Sequence, residues 1–222
     1  LGNCEIVFLT AKLPDYIVLP GDDITEKYLV LSMSHDATKP ITAMFTPTRV
    51  VCANTLAIAF GNGSHRVVIR HTASAHQRLE QAAKLMGVVN KISMEMTELL
   101  TKLSKVRITD DKLDDYLEQV FLDSNELKAL AETGNHKDAG VSTQKLKTMD
   151  YIHDFYYTGI GQDTVATRGT LFGAYSAVTG YLHNVKEYRN DDSRVRNLIL
   201  EGDDYKLNNH ALKVATNLIA QW

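Results

Sequence analysis

The sequence predicts an α+β protein: an N-terminal antiparallel β-meander with a short helix, followed by a long helix and a C-terminal helical region. Three observations predict this class. All four prolines lie in the first 47 of the 222 residues, and proline is tolerated in turns and at strand ends but not inside helices. Runs of β-branched and aromatic residues fill the same front part of the chain. From Ser74 onward, apolar residues instead recur every three or four positions.

The predicted strands are short apolar runs separated by turn residues. They cover residues 5–12, 16–19, 28–33, 41–45 and 66–70, and their spacing suits an antiparallel sheet with tight connections. Pro47 and Thr48 are typical of a helix entry, which predicts a helix over residues 49–59. The loop Gly61-Asn62-Gly63-Ser64 ends that helix, and the strand 66–70 then returns to the sheet.

The helical part begins with one long amphipathic helix. Its apolar stripe extends from Leu79 to Leu103, and a helix that ends near Lys105 is about 45 Å long at a rise of 1.5 Å per residue. We expect other helices or a neighbouring subunit to cover this stripe. Thr109 is the predicted N-cap of an acidic helix that ends near Phe121.

The polar residues 124–140 predict a flexible connection between helices. Further helices are predicted over residues 142–157, 170–188, 193–200 and 205–221. We therefore divide the chain into a β-rich sheet region, residues 1–72, and a helical region, residues 73–222, that packs on it as one continuous domain.

The net charge of −3 hides an asymmetry along the chain. The segment 37–94 contains a single acid, Glu80, and seven basic residues: Lys39, Arg49, Arg66, Arg70, Arg78, Lys84 and Lys91. It therefore carries a charge of +6, which leaves −9 for the rest of the chain. A local excess of this kind indicates a polyanionic partner. The alternative is that these charges lie on several faces or pair with the acidic remainder.

Six of these side chains form the predicted nucleic-acid-binding site: Lys39, Arg49, Arg66, Arg70, Arg78 and Lys84. Arg66 and Arg70 are an even number of residues apart on one predicted strand and therefore project from the same face. Arg49 is in the first turn of the predicted helix, where free N–H groups favour an anion. Because aromatic residues are sparse nearby, we expect salt-sensitive binding without sequence preference. Alternatively, Arg49 and Arg70 tie the helix to the sheet through carbonyl or carboxylate partners.

No motif predicts a catalytic residue, a cofactor or a metal ion. Ser34, His35 and Asp36 are adjacent along the chain, whereas a catalytic triad needs side chains that converge from separate elements. The eight histidines form no HExxH motif, and the two cysteines form no CxxC motif. The loop Gly61-Asn62-Gly63 is not followed by the Gly-Lys-Ser/Thr of a phosphate-binding loop. These observations favour a protein that is not an enzyme.

The expected environment of the chain is a reducing one. Cys4 and Cys52 each lie in an apolar stretch, which predicts buried free thiols rather than a disulfide. No apolar run approaches about eighteen residues and no basic-then-apolar leader opens the sequence, so we expect a cytoplasmic protein without a membrane partner. Because the first residue is Leu1, we expect the natural protein to begin earlier.

Four stretches of the sequence match the motifs of one family. Residues 45–56 read FTPTRVVCANTL, residues 70–72 read RHT and residues 169–179 read GTLFGAYSAVT. Residues 34–36 read SHD, with Ala37 where the family usually has glycine. These motifs resemble those of the phage/plasmid-like protein family, also called domain of unknown function 932. In the motif at residues 169–179, Phe172 replaces a tryptophan and Ser176 replaces an asparagine.

The resemblance implies a genetic context rather than an activity: the genes of phages, prophages and plasmids in a bacterial host cell. A curled sheet followed by helices is also similar in outline to the single-strand annealing recombinases of phages, an analogy of fold alone. We therefore predict an oligomeric nucleic-acid-binding accessory protein that handles single-stranded DNA in recombination, with homo-oligomers as the expected assembly. The alternatives are a non-catalytic structural or interaction protein and an enzyme with an unrecognised site.

Overall fold

The structure, a computed structural model, describes residues 6–34, 41–51, 66–69, 75–199 and 202–222. In this part of the chain the predicted α+β class is confirmed. A four-stranded antiparallel sheet comes first, and its order in space follows the order in the chain. Its strands are β1 (Ile6–Leu19), β2 (Asp23–Ser34), β3 (Ile41–Arg49) and β4 (Arg66–Ile69). The sheet is therefore the meander that the sequence predicts.

Strand β1 is longer than the sequence indicates, because the two predicted strands 5–12 and 16–19 are one strand of 14 residues. Its pairing with β2 shifts register between Lys12 and Tyr16. Asp15 has a φ of 64° there, as expected where a bulge interrupts a ladder. Pro14 looks like a break in the sequence, but a strand at the end of a sheet tolerates a missing N–H group.

The prediction of a helix from residue 49 is wrong at its start. Strand β3 continues through Pro47 to Arg49, a turn follows at residues 50–51, and residues 52–60 lie outside the described part. Residues 42–49 pair with β2, whereas β4 pairs only with residues 41–44. Pro47 therefore lies where β3 has one described neighbour instead of two, and this is a position in which a sheet accepts proline.

Seven α-helices and one π-helical turn are described after the sheet. They are α1 (Ala75–Lys105), α2 (Asp110–Phe121), α3 (Ser124–Thr133), α4 (Thr143–Thr158), α5 (Leu171–Gly180), the π-turn (Tyr181–Val185), α6 (Asp191–Ile199) and α7 (Asp203–Leu218). The helices predicted near α1, α2, α4, α6 and α7 are confirmed. The single helix predicted over residues 170–188 is instead α5 followed by the π-turn.

The predicted flexible connection 124–140 is wrong, because it contains helix α3. The Asp123 side chain accepts hydrogen bonds from the backbone N–H groups of Asn125 and Glu126, and the Glu126 side chain accepts from the Asp123 N–H group. This capping box begins the helix, and Gly134 ends it in the left-handed conformation. None of its residues is fully buried, and its short apolar face, with Leu127 and Leu130, is only partly buried against the core.

From Val89 to Leu103, the stripe of α1 is covered within the chain. Its buried residues include Val89, Ile92, Met96, Leu100 and Leu103, and the helix contacts β1, β4, α5 and α7. Over these described residues, the apolar face of the helix is buried by contacts within one chain. The same hydrophobic cluster contains buried side chains of the sheet and of every helix from α1 to α7 except α3.

Candidate nucleic-acid interface

The six predicted nucleic-acid-binding residues do not all lie on one surface. Arg49 is fully buried, so it cannot line a solvent-facing groove with the others. Lys39 and Arg70 lie outside the described residues. Arg66 is on the backbone of β4, and Arg78 and Lys84 are on that of α1, while their side chains lie outside the described part.

Arg49 is the centre of a buried polar cluster that joins the sheet to the helices. Its Nε donates to Asp23 Oδ1 at 3.1 Å, and its Nη2 donates to Asp23 Oδ2. This is the two-point geometry in which arginine binds a carboxylate most strongly. Nη2 also donates to the carbonyl oxygen of Gly161, and Nη1 to Ser176 Oγ, both at 3.3 Å. The Phe172 ring centroid lies 5.1 Å from the guanidinium carbon.

The local fold places Asp23 beside Arg49. Asp23 is the first residue of β2, directly after a turn in which Gly21 and Asp22 both have positive φ. Thr25, two residues further along β2, is the cross-strand partner of Arg49. Because side chains two apart on a strand share a face, Asp23 and Thr25 both face the covered side of the sheet, where Arg49 lies.

The loop between α4 and α5 completes this cluster. Thr164 Oγ1 donates to Asp23 Oδ2 at 3.0 Å, and Thr167 Oγ1 donates to the Gly161 carbonyl oxygen at 2.9 Å. A Cβ on Gly21 would lie 2.6 Å from the Cβ of Val165, so the β1–β2 turn also packs directly against this loop. The carboxylate and the guanidinium are therefore paired and hydrogen-bonded, as buried charges must be.

Helix α5 supplies Ser176 and Phe172 from the centre of the helical region. All ten of its residues are buried, which agrees with a helix that is apolar on all sides. A Cβ on Gly173 would lie 2.0 Å from the Thr167 carbonyl oxygen, so this helix touches the loop that surrounds Arg49. Arg49, from the motif at residues 45–56, thus contacts the motif at residues 169–179. The residues of α5 in this second motif belong to the core.

What remains of the predicted interface is one edge of the sheet and the helix beside it. Strand β4 is the last strand of the described sheet, with Arg66 opposite Met44 of β3. Helix α1 contacts β4, so the backbones that carry Arg66, Arg78 and Lys84 belong to adjacent elements. Lys91, also in the basic segment, has a side chain that is 78% exposed and lies 3.8 Å from Glu95.

Sequence reasoning does not find the partners of Arg49. Asp23 follows a Pro-Gly turn and resembles any other turn residue, and the loop residues Thr164 and Thr167 belong to no motif that predicts a contact. The structural alternative for Arg49, an attachment through carbonyl and carboxylate groups, matches the contacts of its side chain. What differs from that alternative is the element, since Arg49 ends a strand rather than beginning a helix.

The histidines with described side chains offer no metal centre. His136 Nε2 lies 2.8 Å from Glu118 Oε1, and His153 Nε2 lies 3.7 Å from Asp114 Oδ1. Both pairs border a cavity of about 390 Å³ between α2 and α4. Among the described residues, no three His, Cys, Asp or Glu side chains converge as metal ligands. His35 and Asp36 of the Ser-His-Asp stretch, Gly61 to Gly63, and both cysteines lie outside the described part.

The fold and the cluster define an α+β protein with a buried arginine–aspartate pair in its antiparallel sheet, and hydrogen bonds from this pair to Gly161, Thr164 and Ser176 attach the sheet to the helical core. The family profile described as "Domain of unknown function (DUF932)" matches residues 1–199. The chain therefore belongs to this family, and the resemblance of its motifs is confirmed. No curated protein and no solved structure matches the chain. Among the described helices, none combines the length and apolar character needed to cross a bilayer.

Proposed function

We propose that the protein binds nucleic acid through the edge of its sheet at β4 and the adjoining N-terminal half of α1. The observation that supports this proposal is that basic residues of the segment 37–94 belong to two elements, β4 and α1, that contact each other. Once Arg49 is paired with Asp23, six basic residues and one acid remain in the segment 37–94. Three of the six, Arg66, Arg78 and Lys84, belong to elements that contact each other.

The physical basis of the binding is electrostatic. Cations that neutralise phosphate groups release the counterions of the polymer, which makes affinity fall steeply with salt and depend little on sequence. The rest of the chain carries −9, so a polyanion is repelled from the other faces and directed to this edge. Arg49 takes no part in the binding, because its guanidinium is buried.

We further propose that the nucleic acid is single-stranded DNA and that the process is recombination of phages or plasmids. The support for this step is the motif resemblance and its genetic context. The same proposal includes two further properties: the protein forms oligomers on DNA, and these oligomers anneal complementary strands. Light scattering of the protein with and without an oligonucleotide measures the assembly, and mixing two complementary labelled strands measures annealing.

The proposal predicts salt-dependent binding that four side chains control. Fluorescence anisotropy with labelled single- and double-stranded oligonucleotides, between about 50 and 200 mM salt, gives the affinity and its salt slope. The variant combines Arg66→Gln, Arg70→Gln, Arg78→Gln and Lys84→Gln. Because each phosphate contact on a single strand contributes about 0.7 to the slope, we expect the slope to fall by about 2 to 3.

The matched control removes the same charge from the acidic helical region. It combines Lys137→Gln, Lys147→Gln, Lys206→Gln and Lys213→Gln, four residues that are all exposed. We expect this control to bind with the slope of the unmodified protein. The proposal is contradicted if the unmodified protein binds neither single- nor double-stranded DNA at the lowest salt concentration. It is also contradicted if the salt slope falls equally in both variants.

A further inference from the structure

A second polar site surrounds the π-turn, on elements that the nucleic-acid proposal does not use. A cavity of about 230 Å³ lies between the π-turn and the start of α6. Its lining consists of polar and charged side chains: His183, Asn184, Lys186, Tyr188, Asn190, Asp191 and Arg194. The turn closes with a hydrogen bond from the Lys186 N–H group to the Tyr181 carbonyl oxygen at 2.9 Å. Single π-turns within helices occur often at functional sites.

His183 is the unusual residue of this cavity. Its Nε2 atom is buried and has no hydrogen-bond partner among the described residues, although buried polar atoms are almost always paired. Burial, and then the charge of Arg194, lower the pKa of the imidazole to about 4, and Asp204 opposes this shift. At neutral pH the ring is therefore uncharged, and one of its nitrogens carries a hydrogen.

The other lining groups are mainly hydrogen-bond donors. Arg194 donates through Nη2 to the His183 carbonyl oxygen at 2.8 Å, and its guanidinium carries further N–H groups for a ligand. The Asn190 Oδ1 accepts from the Ser193 N–H group at 2.8 Å, so the amide of Asn190 turns its NH₂ group away from that contact. Lys186 contacts the buried Asp204 at 2.6 Å, and its ammonium retains two further protons.

The lining presents more hydrogen-bond donors than acceptors. Arg194 and Lys186 are cationic donors and Asp191 contributes one negative charge, while the Lys186 ammonium is also paired with Asp204. Asp204 is not among the lining residues: it is 3% exposed, and its carboxylate accepts hydrogen bonds from Lys186 Nζ at 2.6 Å and from the Tyr188 hydroxyl at 3.0 Å. Donors thus outnumber acceptors at this surface, and the ligand that complements them has several acceptor oxygens and a negative charge.

We propose that this cavity binds one oxyanion of the phosphate type, held by Arg194, Lys186 and the Asn190 amide, beside the imidazole of His183. The size suits a single phosphoryl group rather than a stretch of duplex. The group can be free phosphate or the terminal phosphate of a polynucleotide, because the same donors recognise both. The proposal does not depend on the basic segment.

Inorganic phosphate is the first probe, with chloride at equal ionic strength as the reference. An anion beside an imidazole favours its protonated form, so phosphate is expected to raise the pKa of His183 from about 4. An NMR titration of the histidine Cε1–H signals measures this shift, and the amide signals of residues 183–194 report the location.

A second arm compares an oligonucleotide bearing a 5′-phosphate with the same oligonucleotide ending in a hydroxyl. A response to inorganic phosphate identifies a free-phosphate site, and a response to the phosphorylated oligonucleotide alone identifies a chain-end site.

Two variants test the assigned donors. Arg194→Gln is expected to weaken phosphate binding by about tenfold, the effect of losing about 1.4 kcal/mol. Asn190→Ser retains a residue that can cap α6 but removes the amide donor, and is expected to weaken binding several-fold without unfolding. Arg196→Gln is the control, because Arg196 is exposed on the same helix and does not line the cavity.

Two results overturn the proposal. One is a His183 signal that titrates identically in phosphate and chloride, with no response to the phosphorylated oligonucleotide. The other is an undiminished response in both Arg194→Gln and Asn190→Ser, since phosphate then binds elsewhere. The first result is obtained with the unmodified protein and does not depend on how the variants fold.

Discussion

At the residue scale, Arg49 illustrates why a basic side chain in a basic segment need not face a ligand. Its guanidinium is buried against Asp23, the Gly161 carbonyl and the Ser176 hydroxyl. Removing two charges from water is costly, and the pair is stable only because both groups keep their hydrogen bonds. Thr164 supplies another hydrogen bond to the Asp23 carboxylate, so the cluster depends on three separate parts of the chain.

Breaking this pair is expected to destabilise the protein strongly. Arg49→Met leaves the Asp23 carboxylate buried without its cation, and Asp23→Leu leaves the guanidinium without its anion. Each is expected to lower the free energy of unfolding by about 3 to 5 kcal/mol, measured by urea denaturation. The double variant is expected to lose clearly less than the sum, because it leaves no unpaired charge.

The control for this cycle is Arg196→Met, which removes an exposed arginine and is expected to change stability by less than about 0.5 kcal/mol. If the Arg49→Met variant were as stable as this control, the hypothesis that Arg49 stabilises the fold would be contradicted. If it folded normally and lost affinity for DNA, Arg49 would belong to the interface after all.

The burial of Arg49 could not be predicted from the sequence. Its charge and its place in the motif are visible there, but its partners lie 26, 112 and 127 positions away. Local pattern describes neighbours along a strand or helix, whereas this cluster exists only after the sheet, a loop and α5 have packed. The sequence allows the hypothesis that Arg49 forms internal polar contacts rather than binding a ligand, but it does not identify the residues that Arg49 contacts.

At the scale of elements, helix α5 depends on glycines that let it approach its neighbours. A Cβ on Gly173 would lie 2.0 Å from the Thr167 carbonyl oxygen, and one on Gly180 would lie 2.2 Å from the Phe155 ring. Neither contact is sterically possible, so a side chain at these positions forces the packing apart. Gly87 in α1 is the opposite case, since no atom among the described residues lies within 4 Å of the position that a Cβ would take.

Substitutions of Gly173 and Gly87 are therefore expected to change the free energy of unfolding in opposite directions. Gly173→Ala is expected to destabilise the protein by about 1 to 3 kcal/mol or more, because the backbone around Thr167 must move. Gly87→Ala is expected to stabilise it by about 0.5 to 1 kcal/mol, because alanine loses less backbone entropy in a helix. Thermal and urea unfolding measure both. A destabilised Gly87→Ala, or a neutral Gly173→Ala, would contradict the packing of these helices.

Elements with an apolar period are predictable, and elements without one are not. The stripe from Leu79 to Leu103 predicts α1 nearly to its ends. Helix α3 escapes prediction because its apolar face is short and only partly buried, although Asp123 and Glu126 have the spacing of a capping box. In the sheet, Pro14 and Pro47 suggest breaks, whereas both lie within strands.

At the scale of the whole molecule, the order of elements is predictable and the role of the charges is not. The prolines and the change of period separate the sheet from the helices, and in the described residues the strands end at Ile69 and the helices begin at Ala75. Net charge along the chain, however, does not say which cations pair internally. The pairing of Arg49 removes one cation from the basic segment and leaves the rest as the basis of the proposed interface.

Hydrogen exchange with and without bound single-stranded DNA tests the central claim most directly, because it locates the contact surface in the intact protein. The proposal predicts slower exchange in peptides from residues 66–94, and unchanged exchange around Asp23 and in helices α2, α4 and α7. Protection confined to those three helices, with residues 66–94 unaffected, would contradict it.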